Sequence, residues 1–315
     1  MKTTVKNWIW FLLLMGLILG VGLYLGNQRR TDLGKGFNYS LDEFRQVDPT
    51  QITYRELKPL HPQLKKIVAL AVTPNGKIYV SGENGIEILG DAIFPVEGTP
   101  TCLAVDDDGA VFAGMQNHVE IFSKGKQTAT WAVPNEKSYF TSIAVDDRWV
   151  YVADAGNRCI WRYKKTGGTP FEIGQKDAVN GVRGFNIPSP FFDLAIGTDG
   201  SLWVVNPGYH ALENYHSDGS LISSWEASSF SIEGFSGCCN PSHFALLPDG
   251  GFVTAEKGLP RVKIHNVDGS LRCVVAAPDQ FDPHVVGLDV ATDEQGRIYL
   301  LDPNRNQIRI FEEKK

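Results

Sequence analysis

An all-β fold, a propeller of six four-stranded blades, is what this chain of 315 residues predicts, and three observations predict it. The first is a phrase written six times: an apolar couplet, a short polar turn and an apolar or aromatic pair recur in Leu70–Val80, Leu103–Ala113, Ile143–Val152, Leu194–Val204, Phe244–Thr254 and Val290–Leu300. The second is its period. Aligned on Ala71, Ala104, Ala144, Ala195, Ala245 and Ala291, the copies stand 33, 40, 51, 50 and 46 residues apart, the range expected of propeller blades. The third is a shortage at the end, where only Glu312 to Lys315 follow the last apolar run, so the final blade lacks an outer strand and leaves an open edge.

Residues 1–7 form a short tail. From Trp8 to Gly26 the chain has nineteen residues without a charge, enough for about 28 Å of helix, and Trp8, Trp10 and Tyr24 lie near the ends where aromatic rings favour the headgroup level. A membrane-spanning helix over 8–26 is the expectation, preferred to a cleaved signal peptide because the apolar run continues past Gly20-Val21-Gly22. Lys2 and Lys6 before the span and Arg29 and Arg30 after it nearly balance. The usual behaviour of short N-terminal anchors therefore places the body outside the cytoplasm, in a periplasm or on a cell surface. Residues 27–50 read as a tether in which Ser40-Leu41-Asp42-Glu43 resembles a capping box.

The propeller then occupies 51–315. Gln51–Leu57 has strand character and precedes the first repeat, so it is expected to complete the last blade and close the ring. In each hairpin both faces are apolar, as in Ile67–Val72 before the turn Pro74-Asn75-Gly76, which suits strands buried between neighbouring blades. Third strands follow in Gly85–Leu89, Val119–Phe122, Cys159–Tyr163, Leu212–Tyr215, Val262–His265 and Gln307–Phe311. More polar fourth strands are legible in Gln127–Val133, Leu221–Glu226 and Leu271–Ala276.

Two of these units carry a family resemblance. Ile143–Tyr163 and Asp289–Phe311 resemble NHL repeats, and Gly76, Gly109, Gly200, Gly250 and Gly296 fit the glycine of that repeat's first turn. Blades 1, 2 and 5 depart from it, with Ser81-Gly82-Glu83, Gly114-Met115-Gln116 and Ala255-Glu256-Lys257 where blade 3 has Ala-Asp-x. The resemblance is more specific for fold than for activity, and at the level of fold it extends to the SMP-30/gluconolactonase group of metal-dependent hydrolases and lactonases. That group's ligand positions fall here on Phe192, Ser242 and Leu288, so the enzymatic analogy does not carry over residue by residue.

The net charge of −6 and dispersed Lys and Arg residues give no basic field for nucleic acid. No Gly-x-Ser-x-Gly motif is present. Five cysteines preclude complete internal pairing: Cys102 and Cys159 lie in apolar strand text, whereas Cys238 and Cys239 share a loop and one of them could bond to Cys273. Unpaired thiols, a metal site and a redox role for the vicinal pair stay open.

Channel chemistry is read by aligning the blades. Two residues before the anchoring alanine stand Ala69, Cys102, Ser142, Asp193, His243 and Asp289, and at the end of the second strand stand Gly82, Met115, Asp154, Asn206, Glu256 and Asp302. Blades 4 to 6 thus offer Asp193, His243, Asp289, Asn206, Glu256 and Asp302 as candidate ligand residues, with the first three able to hold a divalent cation. For Asp154 and Asp302 the competing role is to fix the turn after the second strand, and for the first three it is a satisfied polar network. The function expected is a membrane-tethered module that binds a protein or small polar ligand, the alternative being a metal-dependent hydrolase. Loops Gly174–Pro190, Ser228–Pro241 and Ala277–His284, with the exposed-looking Phe185, Phe230, Phe235 and Phe281, are where recognition is expected, the alternative being that these rings pack the loops down against the blades.

Overall fold

The computed structural model describes residues 2–28, 42–132 and 136–314, which fall into two units, Met1–Glu43 and Phe44–Lys315. In the first unit, α1 (Lys2–Gln28) is helical, and its described side chains from Trp10 to Tyr24 are exposed on every side. Among the described residues no helix is long and apolar enough to cross a membrane. The span expected over 8–26 is therefore not shown. Of the capping box, Ser40 and Leu41 lie outside the described residues; α2 (Asp42–Arg45) is a single turn.

The second unit is a ring of six four-stranded antiparallel sheets. Strands one to three of each blade fall where the repeats place them, and two fourth strands match to the residue, Leu221–Glu226 and Leu271–Ala276. Strand two is buried along its length in Ile78–Gly82, Phe252–Glu256 and Ile298–Asp302, as sequences apolar on both faces require, whereas Leu221–Glu226 lies mostly in solvent. The five first-turn glycines all have φ between 73° and 85°, a region that penalises a Cβ.

The anchoring alanines explain the taper toward the axis. In five blades the alanine sits across from a large ring on the second strand, Ala71 from Tyr79, Ala104 from Phe112, Ala144 from Tyr151, Ala195 from Trp203 and Ala291 from Tyr299. Small residues face the narrow channel and bulk is set one strand outward. Accordingly the core is a set of six wedges between neighbouring blades. One wedge joins Tyr79 and Ile86 to Leu103 and Phe122, and another joins Val80 and Ile67 of the first blade to Tyr299 and Ile308 of the last.

Closure follows the expectation. The strand Tyr54–Glu56 pairs antiparallel with Gln307–Glu313, placing Tyr54 opposite Glu313 and Glu56 opposite Phe311, and thereby completes the sixth sheet. Leu60 extends the pairing through a bridge to Ile308. Arg309, almost fully buried, holds Glu56 with two charge-assisted hydrogen bonds of 2.8 and 2.7 Å.

Candidate functional site

Each first strand starts at the same end of the ring, where the loop from the preceding blade enters and where the second strand finishes. The cavity along the axis has a volume of about 390 Å³ and is lined by the first strands of all six blades, from this end, where Asp193, His243 and Asp289 stand, to Pro74 and Thr292 at the other. The structure brings these three together: one ligand atom from each lies within 4.8 Å of the others, and His243 Nδ1 is 3.6 Å from both Asp193 Oδ2 and Asp289 Oδ1.

The carboxylates also join blades. Asp193 accepts from the backbone N–H of Leu194 at 2.9 Å and from Phe244 in the next blade at 2.8 Å. Asp289 accepts at 2.8 Å from Leu70, tying the sixth blade to the first. Burial pushes the Asp289 carboxyl up to about 6, with His243 opposing the rise and Asp193 adding to it. For His243 burial acts downward, but the two neighbouring carboxylates outweigh it and leave the imidazole above its ordinary value. A separation of 3.6 Å is too long for a direct N–H···O bond. It is close to the roughly 3.0 to 3.4 Å that two ligands about 2.1 Å from one ion would adopt at tetrahedral or octahedral angles.

Asn206, Glu256 and Asp302 are not part of this cluster, although they stand at the same end. Each is engaged within its own blade. Asp302 accepts from the backbone and side chain of Arg305 and so fixes the following turn. Asp154 does the same work in blade 3, accepting from Asn157, Tyr139 and the indole of Trp161. Gly156 in that turn leaves room for the chain to pass, because a Cβ there would lie 1.8 Å from the Lys137 carbonyl oxygen. Asn206 donates to the Gly184 carbonyl and to Glu213, which also holds Arg183.

Glu256 belongs to a fully buried cluster with Arg261 and Lys263. One carboxylate oxygen lies 2.7 Å from Arg261 Nε and 3.0 Å from Lys263 Nζ, and the other accepts from the Ser236 backbone at 2.9 Å. Burial alone would raise the Glu256 carboxyl, but the two cations hold it below its usual range. The cations in turn donate to the carbonyls of Phe230, Ser231, Ile232 and Gly234, pinning the long loop that enters blade 5.

These clamps form a row that the aligned repeats did not single out. At the third-strand position of Lys263 stand Glu87, Glu213 and Arg309, each bonded to the segment entering its own blade. Glu87 holds the Gln63 and Leu64 backbone, Glu213 holds Arg183, and Arg309 holds Glu56 and the Gln280 carbonyl. The available signal was a charged residue at one register position in otherwise apolar strands, since a buried charge needs a partner.

Long loops crowd the same end, but three of the aromatics expected at their surface are buried: Phe185, Phe235 and Phe281 are 7%, 0% and 5% exposed, while Phe230 is 47% exposed. Phe185 packs on Phe192 and Tyr215, and Phe235 on Trp225, so these rings hold the loops down. Phe191 reaches the channel mouth, its ring edge-on to His243 with centroids 5.8 Å apart. All five cysteines are free. Neither Cys238 nor Cys239 is bonded to Cys273, which lies buried in the outer strand Leu271–Ala276 near Thr53 and Tyr54; the vicinal pair sits at the other end of the blade's strands, beside Lys257.

No family model and no curated protein matches the chain. Solved propellers do. A streptogramin B lyase superposes with a TM-score of 0.55 at 14% identity, covering 83% of this chain and 98% of that one. Virginiamycin B lyase from Staphylococcus aureus gives 0.54 at 17% identity, covering 83% and 87%. A protein of unknown function from Bacteroides thetaiotaomicron gives 0.58 at 14%, covering 84% and 74%, and the WD40 propeller domain of Doa1 gives 0.54 at 13%, covering 83% and 98%. At such identity the likeness is one of fold, a fold shared by lyases and a WD40 domain alike.

Proposed function

We propose that this chain is a membrane-tethered, NHL-like binding scaffold whose channel mouth holds a divalent cation and, through it or beside it, a small polar ligand or a polar segment of a partner protein. The observation that carries the reading is the convergence of Asp193, His243 and Asp289, drawn from three blades, at a spacing that suits a shared cation better than direct hydrogen bonds. Both acids keep backbone partners, so they are held in place rather than free to swing. Loops pinned by buried charges around the mouth supply a rigid rim, which suits recognition.

The tether is supported by α1, where Trp10, Phe11, Leu12, Leu13 and Leu14 and the apolar residues after them are exposed, a surface that water disfavours and lipid accepts. Placement of the propeller outside the cytoplasm follows from the usual topology of short N-terminal anchors.

Metal analysis of the full chain purified in detergent, with Asp193→Asn and His243→Ala alongside, tests the cation. The expectation is close to one divalent ion per chain, lost in both variants, and a melting temperature that chelator lowers in the wild type only. A metal-free wild type that does not take up added Mn²⁺, Ca²⁺ or Zn²⁺ would remove the cation from the proposal. Alkaline carbonate extraction of expressing cells tests the tether, since release into the supernatant would refute it.

A further inference from the structure

A second chemical feature sits beside the channel mouth and uses none of the three channel residues. Cys238 and Cys239 place their sulfurs 3.3 Å apart, and Cys239 Sγ lies 2.7 Å from Lys257 Nζ. Among the described residues no carboxylate pairs with Lys257; its ammonium faces the thiol and, 5.3 Å away, the ring of Phe191. The geometry is built from outside the pair. Asn240 accepts from the Lys257 N–H at 3.0 Å and donates to the Lys257 carbonyl at 3.0 Å and to Ser236 at 2.6 Å, so one side chain locks the cysteine loop to the strand end carrying the lysine. Cys238 is exposed and Cys239 is buried.

We propose that Cys238 and Cys239 are a redox-active dithiol that exchanges with disulfides, Cys238 being the entry thiol and Cys239 the resolving one. A neighbouring ammonium stabilises a thiolate and repels a metal cation, so the arrangement suits nucleophilic sulfur chemistry rather than metal ligation. In its attacking form the pair carries one proton between its sulfurs, the Lys257 ammonium 2.7 Å from Cys239 Sγ favouring a thiolate there. As Cys238 attacks a disulfide R–S–S–R, its proton passes to Cys239, a Cys238–S–S–R bond forms, the R–S–S–R bond breaks, and the departing thiolate takes the proton from Cys239 and leaves as RSH. The Cys239 thiolate, restored beside Lys257, then attacks the Cys238 sulfur; the Cys238–Cys239 bond forms and the second RS⁻ leaves. Two electrons pass from the dithiol to the disulfide substrate, and proton and charge balance. Adjacent Cα atoms stand about 3.8 Å apart, shorter than the usual 4.4 to 6.8 Å of stable disulfides, so the product bond is strained and readily reduced again, as a cycling pair requires. By contrast Cys102, Cys159 and Cys273 are buried and their thiols are pushed up by burial, which keeps them out of exchange.

The test is incubation of the full-length chain with oxidised glutathione, followed by maleimide counting of thiols and mass analysis of the peptide carrying both cysteines. Wild type should lose two of its five thiols, the peptide should become two hydrogens lighter without a retained glutathione, and dithiothreitol should reverse both changes. Cys239→Ser, checked for an unchanged melting temperature, should stall with glutathione on Cys238, and Lys257→Met should slow the closing step about tenfold. A wild type that keeps five thiols, or one that ends as a stable glutathione adduct, would overturn the proposal, as would a folded Cys239→Ser that takes up no glutathione.

Discussion

Removing the charge of Glu256 while keeping its shape should cost this propeller a large share of its stability. In Glu256→Gln two fully buried cations, Arg261 and Lys263, lose the anion that lies 2.7 and 3.0 Å from them. Breaking a buried ion pair from one side costs about 3–5 kcal/mol, because an uncompensated charge remains in low dielectric. Here the lower end applies. Burial already pushes Lys263 down to about 8, so without Glu256 it can shed its proton, leaving Arg261 as the one charge that cannot be relieved. At about 2–4 °C per kcal/mol for a domain of this size, a loss near 3 kcal/mol lowers the melting temperature by roughly 6–12 °C. Thermal unfolding at pH 7 followed by circular dichroism reads this directly, and limited proteolysis should cut first within Ser228–Pro241, whose carbonyls the two cations hold. The control is Glu226→Gln, an exposed partner of Arg183, for which at most a few tenths of a kcal/mol is expected. If Glu256→Gln melts within about 2 °C of wild type, the buried cluster does not hold the loop and the account of this blade is wrong.

The channel cluster gives a pH dependence with a definite sign. Asp289 and His243 both have folded values above their ordinary ones, so their contribution to stability is present at low pH. It is lost for Asp289 as pH rises from about 4 through about 6, and for His243 as pH rises past its raised value. In chelator, the wild-type melting temperature should therefore fall relative to Asp289→Asn between pH 5 and 8, and parallel curves would refute the coupling. For the ring closure, Arg309→Ala removes two charge-assisted bonds to Glu56 and the packing on Phe281, with an expected cost of about 2–3 kcal/mol in a urea titration. Gly156→Ala must displace the chain at Lys137, since the new Cβ would meet its carbonyl oxygen at 1.8 Å, and should destabilise by about 1–3 kcal/mol by the same measurement.

The backbone was legible because runs apolar on both faces recur at blade spacing, and one aligned alanine per repeat fixes the register of its neighbours. The same register put Asp193, His243 and Asp289 in one row, and the channel does gather them. Alignment alone could not separate a row that faces the axis from one that faces a turn: Glu256 and Asp302 share a position at the end of strand two, yet one is buried against Arg261 and Lys263 and the other accepts from Arg305. What each carboxylate meets depends on the third strand and on the entering loop, and those vary from blade to blade. The loop aromatics stayed open between recognition and packing for a related reason, since nothing local in Phe185 or Phe235 reveals that Gly-rich segments fold them back onto Tyr215 and Trp225.

The closing strand also sets the order in which this protein can be made. Arg55 and Glu312, joined in the finished sixth sheet, are 257 residues apart in the chain. Tyr54–Glu56 leaves the ribosome long before its partner exists and waits as an unpaired edge while five blades are synthesised, the state in which chains are most open to aggregation. The ring can lock only once Gln307–Glu313 has emerged, so a chain interrupted before that strand carries five blades and no closure.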